Sequence, residues 1–106
     1  MEETEFAALA ERTLERIEAS LEESGVDADV QLKPGGVIEI EYADGSKMII
    51  NRHAAAREIW VAARAGGFHF RWDGNAWCDT REGTELFAAL SKLVSAQSGQ
   101  AVRLRP

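Results

Sequence analysis

The fold is decided by residues 35–52, which read GGVIEIEYADGSKMIINR. From 37 to 42 apolar residues alternate with glutamates, the period-two pattern of a strand that buries one face. Asp44-Gly45 is a strong hairpin-turn signal, and residues 47–51 provide the returning strand. Because a hairpin joins antiparallel strands, the stretch predicts an antiparallel sheet.

Alternation and turn signals continue on both sides of this hairpin. We expect four more strands, over residues 26–33, 57–63, 68–73 and 75–79. Two segments with apolar residues at helical spacing flank the strands, about 4–23 and 83–98. In the first helix Thr4 is the expected N-cap and Gly25 the expected end, and Gly99 ends the second. A two-layer α+β sandwich follows, with both helices on one face of a sheet of about six strands and a single domain over 1–106.

The first helix carries an unbroken row of four glutamates, which we call the acidic stripe: Glu11, Glu15, Glu18 and Glu22. At 100° per residue they span an arc of roughly 60°. Like charges at i,i+4 cost a helix about 0.2–0.5 kcal/mol per pair. A row of one sign is therefore typical of a face that binds cations or a basic partner.

The charge excess is confined to one half of the chain. Residues 1–44 hold thirteen acidic and three basic side chains, whereas residues 45–106 hold five and nine. A negative field repels phosphate, so nucleic acid and anionic membranes are not expected partners. The acidic N-terminus lacks the basic start of a secretory signal, no apolar run would span a membrane, and a single cysteine provides no disulfide. These features together predict a cytoplasmic protein.

Seven carboxylates of the first helix and the first strand are candidate metal ligands: Glu11, Glu15, Glu18, Glu22, Glu23, Asp27 and Asp29. Hard oxygen donors suit iron as well as Mg, Ca and Mn. We expect the two aspartates, on one strand face, to converge with the acidic stripe across the turn. With no histidine or cysteine nearby, the site would be shallow, hydrated and poorly selective. The alternative is a solvated acidic face that binds nothing specifically.

Aromatic and nucleophilic residues offer fewer candidates. Trp60 alternates with Ile59 and Val61, so we expect it to be exposed on the sheet, near Asn51 and Arg52 on the preceding strand. His53 and His69 are expected to be surface residues, and Cys78 a buried inert thiol. No nucleophile–base set or phosphate-binding loop is present, so the sequence predicts a protein that is not an enzyme.

The order of these segments resembles the bacterial frataxins, the CyaY family, over essentially the whole chain. The resemblance rests on five segments: Glu5-Phe6, residues 35–42, residues 44–52, Ile59-Trp60-Val61-Ala62 and Gly66-Gly67-Phe68-His69-Phe70. His53 departs from the pattern, since glutamine is usual there, and Glu15 adds a carboxylate that not all relatives have.

This resemblance implies a non-enzymatic, iron-binding regulator or adaptor of iron–sulfur cluster assembly. Iron would bind weakly to the acidic stripe, which would dock on a cysteine desulfurase. Asn51, Arg52 and Trp60 would meet the scaffold protein or the same enzyme. A monomer is expected. The alternatives are iron storage or ferroxidase activity through iron-dependent oligomers, and a generic acidic interaction module without a metal role.

Overall fold

The computed structural model describes all 106 residues and contains two helices and one six-stranded sheet. The elements are α1 (Glu3–Ser24), β1 (Ala28–Lys33), β2 (Val37–Tyr42), β3 (Lys47–His53), β4 (Glu58–Ala63), β5 (Gly66–Trp72), β6 (Trp77–Asp79) and α2 (Leu86–Ser98). The strands pair in chain order and every pair is antiparallel. The predicted fold class is confirmed. Neither of the two helices could serve as a membrane span.

The hairpin of β2 and β3 sets the register of the sheet. Ile38 lies opposite Ile50 and Ile40 opposite Met48, and all four side chains are fully buried. At the turn, Oδ1 of Asp44 accepts hydrogen bonds from the backbone N–H and hydroxyl of Ser46, at 2.9 and 2.6 Å. A one-residue slip would move every inward side chain to the opposite face, so burial fixes this pairing.

Both helices cover the same face of the sheet and share one core with it. The core has twenty buried apolar residues, to which α1 contributes Phe6, Ala10, Leu14, Ile17 and Leu21, and α2 contributes Leu86, Phe87, Leu90 and Val94. The extended tail after α2 closes the core, because Val102 and Leu104 are also buried. Serine hydroxyls of the two helices bond the tail backbone, so the tail is held between α1 and α2.

Several element boundaries differ from the sequence expectations by one to three residues, and local hydrogen bonding explains the starts of α2 and of the sixth strand. Thr4 is not the N-cap of α1: the helix begins at Glu3, and the N-cap, Glu2, makes no side-chain capping bond. In α2 the cap is Glu85, whose carboxylate accepts from the backbone N–H groups of Phe87 and Ala88. The sixth strand begins at Trp77, because Oδ1 of Asp73 binds two backbone N–H groups and holds residues 73–76 in a turn. The predicted helix ends, Gly25 and Gly99, are confirmed, each at positive φ.

Candidate functional site

The acidic stripe lies along the side of α1 that overhangs β1, the edge strand of the sheet. Glu11, Glu15 and Glu22 are exposed and Glu18 is half-buried. No lysine, arginine or histidine forms an ion pair with any of the four carboxylates. None of the four carboxylates is therefore neutralised by a direct ion pair within the protein.

A cleft of about 280 Å³ separates the first half of the stripe from the sheet. Glu11 and Glu15 form one wall, and Lys33 and Arg52 line the cleft with them. An added Cβ at Gly36 would lie 2.7 Å from Cδ and Nε of Arg52, so the arginine rests directly on that glycine. The cleft is thus lined by both acidic and basic side chains.

The expectation that Arg52 shares a face with Asn51 and Trp60 is wrong. Successive residues of a strand point to opposite faces. Arg52 lies opposite buried Ile59, on the side of the sheet that carries the helices, whereas Asn51 lies opposite Trp60 on the outer face.

A second cleft, of about 300 Å³, borders the other half of the stripe. Glu18 and Glu22 stand at its edge, and its apolar lining is Leu21, Val26, Ala28 and Val30. Because Glu18 and Glu22 are one helical turn apart, their carboxylates are neighbours on the helix surface. This is the part of the stripe farthest from the basic residues of the first cleft.

The other three predicted ligands do not join the stripe in a cluster of three or more carboxylates. Glu23 pairs with Arg16, with N···O distances of 3.2 and 3.3 Å. Asp27 is exposed, and Asp29 accepts a hydrogen bond from Gln31 at 3.1 Å. Ala28 and Val30 pack on the core, so Asp29 between them points to the outer face of the sheet. The expectation that Asp29 converges with α1 is therefore wrong.

No three acidic, histidine or cysteine side chains are grouped closely enough to chelate a metal ion. The donors that the structure does bring together are pairs of carboxylates on one helix face. Such pairs suit a hydrated hard cation that keeps most of its water ligands. The geometry therefore fits loosely held cations rather than an enclosed metal centre.

The outer face of the sheet carries a stack of three aromatic rings, which we call the Trp60 stack: His53, Trp60 and His69. The Trp60 ring lies 3.8 Å from the His53 ring and 4.3 Å from the His69 ring, with interplanar angles of 12° and 9°. The backbone N–H of Ala56 donates to Nδ1 of His53 at 3.2 Å, which orients that ring. Trp60 does lie on the outer face, but it is half-buried, and the expectation of a largely exposed ring is wrong.

A buried carboxylate anchors this stack. The side chain of Glu58 is 6% exposed, and it accepts from Nε1 of Trp60 at 2.8 Å and from Arg71 at 2.5 Å. Nδ1 of His69 lies 3.6 Å from the same carboxylate. Burial alone would raise the pKa of Glu58, but the bonds from Trp60 and Arg71 outweigh it and hold that pKa below its usual value. Sequence reasoning missed Glu58; a glutamate two positions before an outward tryptophan was the available signal.

Cys78 also lies on the outer face and is half-buried, so the expectation of a buried thiol is wrong. Its Sγ is 3.6 Å from Oδ2 of Asp73. Partial burial, together with this carboxylate, raises the pKa of the thiol above its usual value. Because the thiolate is the reactive form, this environment lowers the reactivity of Cys78.

Comparisons with known proteins agree on one family. A family model for the frataxin-like domain matches residues 1–100. The chain is 61% identical to the iron-sulfur cluster assembly protein CyaY of Dechloromonas aromatica, over 99% of this chain and 100% of that protein. It is 56% identical to the protein of the same name from Cupriavidus taiwanensis, over 93% and 92% of the two chains.

Solved structures give the same result. Frataxin from Psychromonas ingrahamii matches with a TM-score of 0.90 and 31% identity, over 100% of both chains. A trimeric yeast frataxin from Saccharomyces cerevisiae, complexed with ferrous iron, matches with a TM-score of 0.67 and 26% identity, over 94% of this chain and 88% of that one. With its six-stranded sheet, its two helices on one face and these matches in sequence, the chain belongs to the bacterial branch of the frataxin family.

Proposed function

We propose that this protein is an adaptor in iron–sulfur cluster assembly that docks on a cysteine desulfurase through the acidic stripe of α1. The observation that carries the proposal is the row of four glutamates with no ion-pair partner on the protein itself. A partner with a basic surface would supply the missing counter-charges. The names of the relatives, which are iron–sulfur cluster assembly proteins, support the pathway.

Iron would be carried by this protein and passed on, rather than held as a permanent cofactor. Glu18 and Glu22 would hold a hydrated ferrous or ferric ion by one or two carboxylate oxygens, and Glu11 and Glu15 would form a second such pair. Fewer than three protein ligands implies weak binding and fast exchange. Both properties suit an ion that has to be passed on. The yeast structural neighbour in complex with ferrous iron supports this assignment.

The Trp60 stack would form a separate contact, to the scaffold protein or to a second region of the desulfurase. Glu58 and the two histidines hold Trp60 in one orientation before any partner arrives. A preoriented aromatic side chain loses little entropy on binding and is a common interface hot spot. Asn51 lies beside Trp60 on the same face, whereas Arg52 would act from the cleft beside the acidic stripe.

Binding of the purified desulfurase to charge-reversal variants tests the docking proposal. Glu18→Lys with Glu22→Lys should abolish binding, and wild-type affinity should fall as salt shortens the Debye length from about 10 Å at 0.1 M to 3 Å at 1 M. Glu41→Lys with Glu82→Lys is the matched control, because it makes the same change in net charge at exposed positions outside α1. Equal losses in both double variants would mean that only net charge matters, and wild-type binding by the α1 variant would place the docking face elsewhere.

A titration with ferrous iron, monitored by NMR, distinguishes an iron-binding adaptor from a generic acidic module without a metal role. Paramagnetic broadening should concentrate on residues 11–23 of α1. The Glu18→Gln and Glu22→Gln variant should lose the broadening around those two positions and keep it near Glu11 and Glu15. Weak, uniform effects over the whole acidic surface would exclude the proposed carboxylate pairs.

A further inference from the structure

On the other side of α1 from the acidic stripe, an apolar trough runs between the helix and the ends of β5 and β6. Two adjoining cavities, of about 420 and 390 Å³, share Leu9, Arg12 and Trp72. Trp77 and Phe87 add to the wall of the larger cavity. Trp72 and Trp77 meet edge to face, with ring centroids 5.5 Å apart. A concave, largely apolar site of this volume is within the range of small-molecule pockets, about 300–1,000 Å³.

Two arginines stand at the trough and differ in what they bind. Arg16 is already engaged, because its guanidinium bonds the Glu23 carboxylate and the backbone carbonyl of Arg105. Arg12 forms no ion pair, although the chain has eighteen acidic residues. The carboxylate of Glu85, which also lines the trough, is committed to capping α2. Glu5 lines the smaller cavity, is exposed, and forms no ion pair with Arg12. One unpaired guanidinium therefore faces a groove whose wall is mostly apolar and aromatic.

We propose that the trough is a binding site for an apolar monocarboxylic acid, a ligand with an aliphatic or aromatic body and one carboxylate. The body would lie against Leu9, Trp72 and Trp77, and the carboxylate would accept two parallel hydrogen bonds from Arg12. A phosphate monoester fits less well, because it carries nearly two charges and only one guanidinium is free. This inference goes beyond the proposed role in cluster assembly and does not depend on it.

Titration of the ¹⁵N-labelled full chain with octanoate tests the site, with the three indole N–H signals as reporters. Trp72 and Trp77 should shift saturably, and Trp60, on the outer face of the sheet, should not. For a ligand of ten heavy atoms we expect a Kd of about 1 mM. Octan-1-ol and octylammonium have the same chain length without the carboxylate, and they should bind about tenfold more weakly.

An arginine pair provides the matched variants. Arg12→Gln should weaken octanoate binding about tenfold, the loss expected for one charge-assisted contact. Arg81→Gln removes another exposed arginine, in the loop before α2, and should leave octanoate binding unchanged. No saturation by about 20 mM, some twentyfold above the expected Kd, would overturn the proposal. Binding of octylammonium as tight as octanoate, a Trp60 shift equal to the others, or equal effects of the two arginine variants would also overturn it.

Discussion

Replacing Trp60 by alanine should lower the free energy of unfolding by about 2–4 kcal/mol, although the residue lies on the outer face of the sheet. The change removes two stacked ring pairs, each contributing about 0.5–1.5 kcal/mol. It also removes the 2.8 Å hydrogen bond to Glu58, and a bond to a charged group contributes about 1.5 kcal/mol or more. Partial exposure of the ring keeps the total below that of a fully buried tryptophan, about 3–5 kcal/mol.

Thermal and urea denaturation of wild type, Trp60→Ala and Trp60→Phe would measure this loss of stability. For a chain of this size, 1 kcal/mol corresponds to about 4 °C in Tm, so the alanine variant should melt about 8–16 °C below wild type. Trp60→Phe keeps a ring between the histidines and loses only the N–H donor, so it should lose about 1.5 kcal/mol. An alanine variant within about 2 °C of wild type, or a phenylalanine variant as unstable as alanine, would refute the structural role of the stack.

Three further substitutions, at Gly36, Glu58 and Tyr42, test contacts seen in the structure by their effect on stability. Gly36→Ala should destabilise by more than Gly35→Ala, because both sites have positive φ but only Gly36 is covered by Arg52, and urea denaturation of the pair isolates that contact. The lowered pKa of Glu58 means that its stabilising interactions are present above the unfolded pKa, near 4.5, and are lost as the pH falls through the folded value. Glu58→Gln should therefore lose less stability than wild type as the pH falls below about 4.5, and parallel curves of stability against pH would contradict this. Burial raises the pKa of Tyr42 to about 12, so wild type should lose stability as the pH rises from about 10 through 12; Tyr42→Phe should resist that loss, measured by circular dichroism.

The fold was predictable because each strand and turn carries its own local sequence pattern. Burial of one face enforces the alternation in residues 37–42, and Asp44-Gly45 fits the turn that the hairpin needs. Helix ends at glycine were equally readable, since positive φ is rarely occupied by other residues. The starts of the helices were harder to predict. No propensity rule indicates the start of α1, because the helix begins without a side-chain cap.

The sites were predictable only where one element carries them. The acidic stripe follows from helical geometry alone. Arg52 was grouped with Asn51, its neighbour in sequence, although successive residues of a strand point to opposite faces. Asp29 was placed on the correct face of its strand, but that face points away from α1. Cys78 was expected to be buried because free cysteines usually are, whereas its strand turns it to the outer face. The Trp60 stack depends on the register between three strands, which brings His53 and His69 to the two faces of the Trp60 ring. The sequence alone does not specify that register.

An NMR footprint of the purified cysteine desulfurase on the ¹⁵N-labelled chain tests the central claim most directly. The docking proposal predicts that amide signals lose intensity first along residues 11–22 of α1, and that about 0.5 M salt restores them because it screens the acidic stripe. Signals around the apolar trough should change little. Intensity loss confined to α2 or to the trough, with the amides of Glu11, Glu15, Glu18 and Glu22 unaffected, would contradict the claim that this protein docks through its acidic stripe.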